Sequence, residues 1–193
     1  MRFLDKFSGR PMVVALLVAM ALFDRSGIVA ATLLAAALHE CGHLLAARLL
    51  HVMVAGLHLG LIGAQIEIRG RMLTYGEEWL ICASGPLASL LFAALGAVFW
   101  NMGAWARYFS CASLVLGILN LLPIQTFDGG RMLRATLSRF GGERVARTVC
   151  ACFSLFFLFL LWAFSAYFLL RAGNGLSLFC FSVGLFLRFF ERA

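Results

Sequence analysis

Long apolar runs divided by short polar stretches set the pattern of this chain. The runs cover 11–23, 27–50, 79–100, 105–124, 149–170 and 176–190. Runs of about 20 apolar residues fit the hydrocarbon thickness of a bilayer. One stretch departs from them. Between Val52 and Met72 glycines recur at 56, 60, 63 and 70, and Gln65-Ile66-Glu67-Ile68-Arg69 alternates polar with apolar, which is the period of a strand. The pattern predicts an all-α polytopic membrane protein of about six transmembrane helices, with a small membrane-associated β-hairpin after the second. The whole of 1–193 reads as a single integral membrane domain with a core over 27–131 and flanking helices over 7–23, 149–170 and 176–190. The interval between spans is too short for an inserted PDZ domain, and no CBS domain is expected.

Composition agrees. Of 193 residues 63% are hydrophobic and 13% charged, far from the usage of a soluble domain. The net charge of +7 could suggest nucleic acid, but the basic residues stand between apolar runs as loop anchors do, so no nucleic-acid partner is expected. Six spans with an inner N-terminus put 13 of the 16 lysines and arginines on the inner face, so both termini are expected in the cytoplasm and the protein in the cell membrane. A basic start and a short apolar run also describe a signal peptide; a retained first span closes the topology better. The six cysteines lie in apolar segments without a CxxC pair and read as small buried hydrophobes.

Candidate chemistry sits in the second run, at His39-Glu40-Cys41-Gly42-His43. On a helix, residues i and i+4 share a face one turn apart, so His39 and His43 can reach one cation, with Glu40 beside them as a base for water. Between Gly27 and Leu50 the only other charge is Arg48. A carboxylate deep in a bilayer is costly, so Glu40 should have a task there. On a helical wheel Thr32, Ala35, Ala36, Gly42, Ala46 and Ala47 share the motif's half while Leu33, Leu34, Leu44 and Leu45 take the other, which turns the site into a bundle. Counting from Leu50, His43 lies roughly 10 Å deep and His39 roughly 17 Å. Among acids near apolar segments Asp128 is the best third ligand, because Pro123 ends the fourth run and Gly129-Gly130 follow the acid on a bend or a helix start. His58 reads as a polar edge residue rather than a ligand. The Gly85-Pro86 pair should kink the third span or open its backbone, and Arg131 to Arg147 reads as a basic loop.

With HECGH and Asn120-Leu121-Leu122-Pro123-Ile124-Gln125-Thr126-Phe127-Asp128-Gly129-Gly130 both in view, the chain resembles the site-2 protease family of intramembrane zinc metalloproteases. Ala83-Ser84-Gly85-Pro86-Leu87-Ala88-Ser89 is similar to that family's Gly-Pro motif. The resemblance covers roughly 27 to 131. It implies one Zn²⁺ per chain on His39, His43 and Asp128, Glu40 as general base and later proton donor, and Asn120 as a holder of substrate or oxyanion. The Gln65 and Glu67 strand would pair with an unwound substrate, a role that strand addition supports physically. Gln125 replaces a common second proline and Ser89 a common asparagine. The implied substrate is a transmembrane or membrane-tethered protein such as a transcription-factor precursor, as in regulated intramembrane proteolysis; a membrane regulatory partner is left open. In size the chain is nearest the sporulation branch, which processes a sigma-factor precursor. Two other functions compete: a metal or ion transporter using the buried His and Asp residues, and a catalytically silent membrane scaffold.

Overall fold

The computed structural model describes residues 19, 20, 23–52, 54–60, 63–68, 72–172 and 176–192. In chain order the elements are α1 (Ile28–Leu49), β1 (Val54–Gly60), β2 (Gly63–Ile68), α2 (Tyr75–Val98), a 3₁₀ turn (Trp100–Met102), α3 (Ala104–Leu121), α4 (Asp128–Ala172) and α5 (Leu176–Arg192). The contacts divide the chain into two units that meet between Ile118 and Leu119, within α3.

In the first unit α1 begins behind a tight polar turn. Asp24 accepts the Ser26 hydroxyl at 2.5 Å and the Val29 N–H at 2.6 Å, and the Ser26 hydroxyl oxygen receives the Ile28 N–H at 3.3 Å. These bonds satisfy N–H groups that a helix start leaves without partners. The buried positions of α1 are Ala31, Ala35, His39, His43 and Ala47, one row at intervals of four that lies against α2. Leu34, Leu45 and Leu49 are exposed on the opposite side, as lipid-facing residues would be. Thr32, placed by the wheel on the motif's half, is also exposed, and its hydroxyl donates back to the Ile28 carbonyl at 2.8 Å. A threonine can settle its polar group within its own helix and needs no neighbour for it.

The strands β1 and β2 pair antiparallel, with His58 opposite Gln65, Gly56 opposite Glu67 and an irregularity between Val54 and Gly56. Next, Thr74 and Glu77 form a capping box: Thr74 Oγ1 accepts the Glu77 N–H while the Glu77 carboxylate accepts the Thr74 N–H at 3.0 Å. This box explains why α2 starts at Tyr75, earlier than the apolar run itself suggests. The helix continues through Pro86. Close packing joins it to α3, where Ser110 Oγ donates to the Ala93 carbonyl at 2.7 Å. A Cβ on Gly96 would stand 2.9 Å from that of Ser110, so the small residue permits the approach.

In the second unit α3 ends at Leu121, just before Pro123. Arg131 to Arg147, expected as a loop, is helical on both sides of one break at Gly142, whose φ of 78° is left-handed. Arginine, leucine, methionine and alanine are good helix formers, and only glycine adopts that φ without strain. Glu143, just past the break, pairs with Arg134 and accepts the Ser138 hydroxyl at 2.9 Å, so the second arm of α4 turns back beside the first. Further along, α4 packs on α5, where the hydroxyls of buried Ser165 and Ser182 meet at 3.0 Å; Leu158 on α4 and Leu185 on α5 are buried as well.

The expected fold class needs correction. The all-α polytopic class holds, but the count of about six spans does not: among the described residues four helices are long and apolar enough to cross a membrane, Ile28–Leu49, Tyr75–Val98, Ala104–Leu121 and Asp128–Arg171. Most of the run placed at 7–23 lies outside the described residues. The expected sixth span fails for length. Its apolar part is Leu178–Leu187, about 15 Å of helix against a hydrocarbon core of about 30 Å.

Candidate metal centre

His39 and His43 stand one turn apart on the buried row of α1, with exposures of 4% and 6%. Their rings meet edge to face, and the two Nε2 atoms are 3.2 Å apart. The far side of each ring is held by α2. His43 Nδ1 lies 2.7 Å from the Ile81 carbonyl, and His39 Nδ1 lies 2.8 Å from Ser89 Oγ. A carbonyl only accepts, so His43 carries its proton on Nδ1 and turns the lone pair of Nε2 toward His39. Ser89 Oγ can accept in the same way from His39, and Ser89 is 1% exposed.

These rings fit a metal. Two Zn–N bonds of about 2.0–2.1 Å at a tetrahedral angle place their nitrogens about 3.3 Å apart, close to the observed separation. A proton on His39 Nε2 makes this contact an N–H···N hydrogen bond; with Ser89 accepting from Nδ1 instead, both Nε2 lone pairs are free to ligate a cation between them. Partners on Nδ1 that fix tautomer and orientation are the usual support of a ligating histidine.

Helix packing makes the arrangement possible. A Cβ on Gly42 would stand 2.7 Å from the Ser84 carbonyl and 2.9 Å from the Ala88 Cβ, and a Cβ on Gly85 would overlap the His43 ring at Nε2. The two glycines therefore let α1 and α2 approach until Ile81 and Ser89 reach the imidazoles. Glu40, next to His39 on α1, is half-buried.

The other expected site residues lie elsewhere in the sequence. Asn120 is in the last turn of α3, and Asp128 is the first residue of α4, 9% exposed, where the positive end of the helix favours a carboxylate. Cβ atoms on Gly129 and Gly130 would overlap the Leu121 and Ile124 carbonyls, so the glycine pair is what lets the chain after Pro123 fold over the start of α4. His39 and His43 in the first unit offer imidazole nitrogens and Asp128 in the second a carboxylate oxygen, the ligand types that catalytic zinc takes. Gln65 and Glu67 are on β2. Ile81 and Ser89 escaped the sequence reading as supports of the histidines. The signal for them was present in part, since Gly42 and Gly85 each mark a helix surface bare enough for contact.

The model of peptidase family M50 matches residues 97–164, which include Asn120 and Asp128 but not the histidine helix. Two curated proteins, from two strains of Mycobacterium tuberculosis and both named "Putative zinc metalloprotease Rip3", are 35% identical over 119 residues. That alignment takes in 55% of this chain and 30% of theirs, so the chain spans less than a third of the relatives it matches. Among solved structures, the site-2 protease from Methanocaldococcus jannaschii superposes with a TM-score of 0.63 at 20% identity, covering 94% of this chain and 86% of that one. At that identity the likeness speaks for the fold. With the HExxH helix and the Asn-x-x-Pro to Asp-Gly segment, the chain is thus similar in part of its sequence to peptidase family M50 and to zinc metalloproteases, and in fold to a site-2 protease, and among its described residues four helices are long and apolar enough to cross a membrane.

Proposed function

We propose that this chain hydrolyses a peptide bond in or beside a transmembrane segment of another membrane protein, with one zinc ion held by His39, His43 and Asp128. The observation that carries the reading is the histidine pair, whose Nε2 atoms face each other at 3.2 Å while α2 fixes both Nδ1 atoms. Zinc at such a site supplies a Lewis acid and brings the pKa of water toward neutrality.

The residues of the chain do the rest. Glu40, beside His39, takes the proton of the attacking water and later passes it to the leaving amine. Asn120 donates a hydrogen bond to the substrate carbonyl as negative charge develops on its oxygen. The edge of β2, carrying Gln65 and Glu67, pairs with the substrate after its helix unwinds, because a helical peptide bond is shielded by its own hydrogen bonds. In this reading the protease core is 27–131, both termini are cytoplasmic, and cleavage near the inner face would free the soluble part of a membrane-tethered regulator.

The test compares wild type with Glu40→Gln in liposomes that contain single-span reporter proteins. The variant should keep its zinc and lose cleavage by a factor of about 10² to 10⁴, the usual contribution of a general base. Cleavage at the wild-type rate would remove Glu40 from the mechanism. Reporter proteins left whole by zinc-loaded wild type would count against the protease reading.

A further inference from the structure

The turn that delivers Asp128 is fastened from behind by a buried serine. Gln125 and Thr126 are its two central residues, and the Phe127 N–H closes it on the Ile124 carbonyl at 2.8 Å. The N–H of Gln125 donates to Ser154 Oγ at 2.9 Å. Ser154 is on the returning arm of α4, wholly buried, and its own proton goes to the Cys150 carbonyl at 2.7 Å. With that proton committed, a lone pair of Oγ is what receives Gln125. On its other side the same peptide lies on Gly130, where a Cβ would overlap the Ile124 carbonyl and stand 2.8 Å from the Gln125 nitrogen. The Ile124–Gln125 peptide is thus gripped between Gly130 and Ser154, three residues before Asp128.

We infer that Ser154 is a positioning residue, a latch that sets the height and direction of Asp128 through the Gln125 amide. The inference rests on reading Asp128 as a metal ligand. Position 125 is the second residue of a β-turn, where proline is favoured and no N–H is required of the turn itself. This chain keeps an N–H there, and Ser154 gives that donor a buried partner. Removing the hydroxyl leaves the donor without one, whereas removing donor and acceptor together leaves nothing unpaired. The latch also ties the Asp128 turn to the arm of α4 beyond Gly142, so the ligand's position depends on how that helix returns.

The experiment uses the full chain in bilayer nanodiscs, as wild type, Ser154→Ala, Gln125→Pro and the double variant. Amide exchange over 125–131 and zinc retention against a chelator are measured beside thermal unfolding. Ser154→Ala should speed exchange over 125–131 about tenfold or more and weaken zinc retention about tenfold. Gln125→Pro should weaken zinc retention similarly, because its ring carbon would take the place of the N–H against Ser154 Oγ. In the double variant the missing hydroxyl makes room for the ring, and exchange and zinc retention should return to within about threefold of wild type. Losses that add in the double variant, or exchange unchanged in Ser154→Ala, would overturn the latch. Wild type that holds no zinc would sink the metal reading, while the exchange cycle would still decide whether the latch exists.

Discussion

Replacing Gly85 by alanine tests the metal centre at its tightest contact. A Cβ there overlaps Nε2 and Cε1 of His43 and would stand 2.8 Å from Cδ2, whereas ordinary contact begins at 3.4 Å. The ring, or the helix beneath it, must retreat by roughly 1 Å. His43 cannot swing freely, because its Nδ1 is bound to the Ile81 carbonyl of the same helix that carries Gly85. Separating the helices would relieve the overlap only by drawing Ile81 and Ser89 away from the imidazoles they hold. Ligand distances in a zinc site hold to within about 0.2 Å, so a shift of this size exceeds what the site tolerates. Zinc affinity should fall at least 10- to 100-fold, roughly the loss seen when the supports of a ligating histidine are removed, and stability should fall by about 1–3 kcal/mol from overpacking. The assay is zinc per chain in competition with a chelator, with thermal unfolding alongside. Gly76→Ala, on the same helix with nothing within 4 Å of its Cβ, is the control and should hold zinc as wild type does. If Gly85→Ala bound zinc with wild-type affinity, the tight α1–α2 packing would not be what places His43.

Three further outcomes follow from the same geometry. Ser89→Ala removes the partner of His39 Nδ1 and should weaken zinc about 10- to 100-fold in the same competition assay, with unfolding little changed. Thr74→Ala breaks the capping box of α2 and should lower stability by about 1 kcal/mol in chemical unfolding while leaving zinc stoichiometry intact. Asp24 outside the spans is held below the ordinary aspartate value, chiefly by the Ser26 hydroxyl and then by the Val29 N–H. A depressed carboxylate stabilises the fold fully above its unfolded pKa and loses that contribution as pH falls through the lower folded value. The start of α1 should therefore fray in acid, seen as faster amide exchange at Val29, and Asp24→Asn should flatten that dependence.

Particular elements show how far the chain could be read without coordinates. Apolar length alone located α1, α2 and α3, because a bilayer demands about 20 residues per crossing and these runs supply them. The period of 3.6 put His39 and His43 on one face, and Pro123 with Gly129-Gly130 put Asp128 on a bend or a helix start, of which the structure shows the second. Length was also where the reading failed. Leu176–Arg192 looks like a span by composition yet has too short an apolar part, and the arginines after Asp128 look like a loop by charge yet form helix, since arginine is a good helix former.

What the sequence by itself determined is which polar residues stand on which apolar helix: His39 and His43 one turn apart on α1 and Asp128 before the Gly129-Gly130 pair. Only the tertiary structure decided their state. The proton of His43 is on Nδ1 because a carbonyl 38 positions later accepts it, and His39 is held by Ser89 from 50 positions later. The Asp128 turn is gripped by a hydroxyl 29 residues after Gln125. Such bonds leave no periodic trace, because hydrogen-bond partners far apart in sequence are set by where helices cross, and that depends on which small residues let them touch.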